Sequence, residues 1–63
     1  MTMEVHVFLK GCKKAIIYSG DRIDVLDFEM NKIKYNQIRY FRKGFSKSEL
    51  IEQESINKII TIN

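Results

Sequence analysis

Met3-Glu4-Val5-His6-Val7-Phe8-Leu9 is the stretch that decides the fold. Met3, Val5, Val7 and Leu9 fall on one parity, and Glu4, His6 and Phe8 on the other. That two-residue period belongs to a strand with one face in a core. Working outward, Lys10-Gly11-Cys12-Lys13 reads as a hairpin turn, with Gly11 free to take a positive φ, and Ala15 to Tyr18 as the returning strand. Ser19-Gly20-Asp21 is turn chemistry, and Ile23, Val25, Leu26 and Phe28 carry the next strand. The apolar parity switches between Val25 and Leu26, which predicts a bulge or bend there. Glu29-Met30-Asn31-Lys32 reads as a four-residue connection into the longest segment, Lys32 to Phe41. Within that segment Ile33 and Tyr35 share one parity, and Ile38 and Tyr40 the other. A bulge at Asn36-Gln37 would bring all four into the core and leave Lys34, Arg39, Phe41 and Lys43 outside. Val7, Ile33 and Ile60 are expected to be core side chains.

Composition supports strands. Ile occurs ten times, Val three, Thr two, and Phe with Tyr seven, whereas Ala occurs once and Leu three times. β-Branched and aromatic side chains fit a pleated, half-buried surface, and the strongest apolar helix formers are nearly absent. An apolar fraction of 44% with a net charge of only +3 excludes intrinsic disorder. The longest apolar run is Ala15-Ile16-Ile17-Tyr18, too short to span a bilayer. Met1-Thr2-Met3-Glu4 has neither the basic head nor the apolar stretch of a signal peptide. The lone Cys12 cannot close an internal disulfide. These features predict a single domain over residues 1–63, in the reducing cytoplasm and without a membrane partner. So short a chain, with no disulfide to staple it, gains from self-association, and a homo-oligomer is a natural expectation.

The C-terminal third admits two readings. Ser46 and Glu49 form a capping box flanked by Phe45 and Leu50, which would start a helix over about 46–57 and make the fold α+β. Against this, Glu52-Gln53-Glu54-Ser55 interrupts the apolar stripe such a helix would need. The preferred reading is a strand through Glu49-Leu50-Ile51, a short turn near Glu54-Ser55, and a last strand from Lys58 to Ile62. The expected fold is all-β: a small five-stranded antiparallel meander, closed as a barrel or rolled as a sheet.

Phe, Tyr, Met, Ile, Asn and Lys total 32 residues, against 7 for Gly, Ala, Arg and Pro, the imprint of AT-rich codons. Together with Val5-His6-Val7-Phe8-Leu9-Lys10-Gly11 and the ending Leu50-Ile51, then Ile56-Asn57-Lys58-Ile59-Ile60-Thr61-Ile62, the chain resembles a broad set of small β-meander proteins. These are carried by phages and mobile elements of low-GC Gram-positive bacteria, and many are predicted to form Sm- or SH3-like barrels. The resemblance implies an origin and an architecture. It transfers no functional residue.

The residues that carry chemistry are few. His6 and Cys12 have no second His or Cys to complete a zinc site, and read as a strand-face histidine and a turn cysteine. Asp21, Asp24, Asp27 and Glu29 lack the spacing and glycine of a calcium loop. There is no Gly-rich phosphate cradle and no Ser-centred nucleophile motif, so neither enzymatic activity nor a cofactor is expected. The most distinctive segment runs from Lys32 to Lys43, where basic and aromatic residues interleave and no acid occurs between Glu29 and Glu49. Its candidate binding residues are Lys34, Arg39, Phe41, Arg42 and Lys43. They suit an acidic protein partner, and the same pattern on a sheet can hold single-stranded nucleic acid. The expected role is a non-catalytic binding module that modulates a host protein or defence system by protein–protein contact. Alternatives are a single-strand-binding accessory protein, or an oligomer holding a small charged ligand such as a nucleotide.

Overall fold

In the computed structural model, which describes residues 2–63, six strands follow one another. They are β1 (Met3–Leu9), β2 (Ala15–Gly20), β3 (Arg22–Met30), β4 (Ile33–Arg42), β5 (Phe45–Glu52) and β6 (Ile56–Ile62). A single 3-10 turn, Gln53–Ser55, separates β5 from β6. The all-β expectation holds, with six strands rather than five. The helix alternative over 46–57 fails because the turn before it sends the chain straight back along β4. Lys43 and Gly44 carry φ of 41° and 87°, a pair of left-handed residues matched to the twist of a hairpin. Ser46 then pairs with Phe41 and Glu49 with Ile38, so the would-be capping residues spend their backbone groups on a β ladder.

The strands form two antiparallel three-stranded sheets. Sheet A has the order β2-β1-β6 and sheet B the order β3-β4-β5. The expected barrel is not closed, and the corner between β2 and β3 shows why. Ser19 and Gly20 belong to β2 rather than to a turn, leaving Asp21 alone to carry the chain from one layer to the other. Asp21 N–H donates to the Phe41 carbonyl at 2.8 Å, and Lys43 N–H donates to Asp21 Oδ2 at 3.2 Å. A Cβ on Gly20 would stand 2.7 Å from that same carbonyl oxygen, closer than real contacts allow. Glycine here lets two backbones meet at the corner, and the chain changes layer instead of adding a neighbouring strand to the same sheet.

Two further expectations are corrected by the register of β3 and β4. Pairing runs unbroken from Arg22↔Phe41 to Met30↔Ile33, so there is no bulge at Val25–Leu26 or at Asn36–Gln37. The connection is the two residues Asn31 and Lys32, with φ of 52° and 64°, not the four of 29–32. An uninterrupted ladder keeps strict alternation. Ile23, Val25, Ile38 and Tyr40 therefore point towards sheet A, while Leu26, Phe28, Met30, Ile33 and Tyr35 point away.

Val5 and Val7 from β1, Tyr18 from β2, Ile23 from β3 and Ile38 from β4 form the buried core. Met3, Leu9, Tyr40, Ile51, Ile56 and Ile59 pack around it. Val7 is fully buried as expected, but Ile33 and Ile60 are 42% and 38% exposed, because each lies on the outward parity of its sheet. The molecule is thin, with extents of 34 × 27 × 13 Å, and exposes 4892 Å². A folded monomer of 7.5 kDa is expected to expose about 4,200 Å². Large apolar side chains stand exposed on the outer faces of both sheets, Leu26, Phe28, Met30, Ile33 and Leu50 on sheet B and Ile17, Ile60 and Ile62 on sheet A. Among the described residues no helix is long and apolar enough to cross a membrane.

Candidate binding surface

The outward face of sheet B is built in rows by the unbroken register. Leu26, Gln37 and Leu50 stand side by side; Phe28, Tyr35 and Glu52 form the next row; Met30 and Ile33 close the end of the hairpin. Leu26, Phe28, Met30, Ile33 and Leu50 are each between 40% and 45% exposed. The rings of Phe28 and Tyr35 lie 6.4 Å apart in a tilted pair, within the range of favourable aromatic packing. Gln53 Nε2 donates to Asp27 Oδ1 and to the Tyr35 carbonyl, both at 3.3 Å, tying the 3-10 turn to this part of the hairpin. Six large apolar side chains thus share one surface with no layer over it.

The other half of the same face is charged. Asp24, Arg39 and Ser48 form one row, and Arg22, Phe41 and Ser46 the next. The Arg22 guanidinium sits 5.3 Å above the centre of the Phe41 ring and 3.1 Å from Asp24 Oδ2. Phe41 is thereby covered by a cation and is half-buried rather than open for stacking.

Of the residues expected to form the site, Arg39 and Phe41 share this face. Lys34 lies on the opposite face, paired with Glu29, because its parity is that of Ile38. Arg42 also has that parity, and Lys43 sits in the β4–β5 turn with its backbone N–H committed to Asp21. The basic residues are therefore spread over two faces and a turn instead of lining one track. The apolar residues Leu26, Phe28, Met30, Ile33, Tyr35 and Leu50 were not expected as a surface. Their signal was present in the sequence: a two-residue turn at Asn31-Lys32 sets Met30 against Ile33 and Phe28 against Tyr35.

The remaining candidates have local partners. His6, flanked across sheet A by Ile17 and Ile60, donates from Nε2 to Glu4 Oε1 at 2.9 Å. Cys12 is exposed in the loop after β1. Asp21, Asp24 and Asp27 accept from Lys43, Arg22 and Gln53 respectively, and no group of three metal-ligating side chains gathers among the described residues. Comparisons with protein-family models, curated proteins and solved structures find no match to this chain.

Proposed function

We propose that the protein is a non-catalytic binding module that contacts another protein through the outward face of sheet B. The observation that carries this reading is the cluster of exposed Leu26, Phe28, Met30, Ile33 and Leu50 around a half-buried Tyr35, all on one face of the sheet. Contiguous apolar surface bordered by charge is the usual form of a protein contact site, with the apolar centre supplying affinity and the charged rim steering approach. Arg39 lies in the rim of this face, and Arg42 and Lys43 extend positive charge beyond it, which suits a partner whose own rim is acidic. The AT-rich residue usage and the resemblance to phage and mobile-element proteins support a host protein as that partner. Single-strand binding is less well supported, because the basic side chains are dispersed and Phe41 is capped by Arg22.

The test is capture of partners from lysate of a low-GC Gram-positive host, using the native protein, F28D, and the triple reversal of Arg39, Arg42 and Lys43 to Glu. A protein retained by the native chain is expected to be lost with F28D, a cost of about 2 kcal/mol or more if Phe28 is a central anchor. The charge reversal is expected to slow its association. Tight binding of a mixed single strand by the native protein, falling steeply with salt, would replace this reading with the nucleic-acid one.

A further inference from the structure

The four end strands of the two sheets differ sharply in how their unpaired edges are protected. β3 carries Arg22, Asp24, Asp27 and Glu29, and β5 carries Lys47, Glu49 and Glu52, so both edges of sheet B are studded with charge. Charged side chains are the ordinary way an edge avoids pairing with another chain. β2 has no charge of its own, but Lys13 and Lys14 precede it and its Gly20 end is pressed against the Phe41 backbone. β6 is different. Its sequence Ile56-Asn57-Lys58-Ile59-Ile60-Thr61-Ile62 has four isoleucines, one charge and no proline; a bulge at Asn57 offsets its start from β1, and from Lys58 to Ile62 it pairs regularly with β1 on one side only.

We infer that β6 is a self-association edge, and that two copies of this chain join by antiparallel pairing of β6 with β6. Such a pairing is two-fold symmetric, and it makes one continuous six-stranded sheet from the two copies of sheet A. Like charge on the strand rules out one register. On the outward face of sheet A, β6 shows Lys58, Ile60 and Ile62; Ile59 and Thr61 point to the core. A two-fold axis through Lys58 would set Lys58 against the partner's Lys58, a like-charge pair that opposes association. An axis through Ile59 pairs residues 57–61 of the two copies and sets Ile60 beside the partner's Lys58, with Ile56 left beyond the bulge at Asn57. The inference does not depend on what sheet B binds, since the dimer leaves both copies of that face open.

The test is sedimentation equilibrium from about 1 µM to about 1 mM, the span over which a small, edge-sized interface assembles. The native chain is expected to be a dimer at the upper end. I60K places a lysine opposite the partner's Lys58 twice over, and is expected to weaken the dimer about tenfold or more. I60E places a carboxylate there instead, and is expected to hold the dimer within about threefold of native. F28D, which alters only sheet B, should leave it unchanged. Matching far-UV circular dichroism across the variants establishes that each is folded. A native chain that stays monomeric throughout, I60K and I60E that weaken the dimer alike or leave it alike, or a dimer lost with F28D would each overturn the inference.

Discussion

The Tyr18 hydroxyl crosses from sheet A to sheet B and donates to Glu49 Oε1 at 2.8 Å. Its ring sits in the core, 5.5 Å from that of Tyr40. Burial first, then the hydrogen bond to Glu49 and that residue's negative charge, push the phenol well above its ordinary value of 10.0. A phenol that resists ionisation only when folded contributes stability that is complete below pH 10.0. That contribution is lost as pH rises towards the folded-state value, because the unfolded chain releases its proton first. Denaturant titrations are expected to show stability falling by about 1.4 kcal/mol per pH unit in that alkaline window from this group alone. Y18F should remove this component and cost about 1 kcal/mol at neutral pH, a modest figure because Glu49 is exposed. An unchanged alkaline slope in Y18F would show that the hydroxyl does not join the sheets as described.

Among the elements, β1 was legible at once, because it is apolar on one parity and mixed on the other. The β3–β4 hairpin was not, because both of its faces carry large apolar residues and alternation alone names no inside. Assuming a single apolar face forces bulges into the reading, and those hide the outward cluster from Leu26 to Leu50. Arg39 and Phe41 could be placed together from sequence; the separation of Lys34 from them follows only from the unbroken register. The capping box at Ser46 and Glu49 was real as a pattern and idle in the fold, since a two-residue turn upstream had already fixed the chain direction. The hairpin turns allow an independent check. Lys32 holds φ of 64° in a conformation that costs a side chain with a Cβ and suits glycine. K32G, which creates an Asn-Gly turn, is expected to raise stability by about 0.5–1 kcal/mol in denaturant melts. A loss of stability would mean that the turn is not of this kind.

At the scale of the whole molecule, the two sheets differ in how far the chain must travel to make them. Sheet B is three consecutive strands joined by two-residue turns, whereas sheet A needs Val5 to meet Thr61. Local pairings form early, because long-range closure has a large entropic cost before its contacts are rewarded. I38V, in the middle of sheet B, is therefore expected to slow folding. I59V, on the last strand, should mainly speed unfolding. Stopped-flow chevrons on the two variants separate these effects, and the reverse pattern would place the nucleus in sheet A.

β1 lies between β2 and β6, brings Val5 and Val7 to a core of five buried side chains, and is followed by an exposed loop from Lys10 to Lys14. It is held by two ladders of backbone hydrogen bonds and by its own side chains, and the covalent link through that loop adds only a local concentration. A cut there would free β1 covalently from the slot between β2 and β6 that it fills. The molecule is thus laid out for fragment complementation, with its central strand serving as a removable insert.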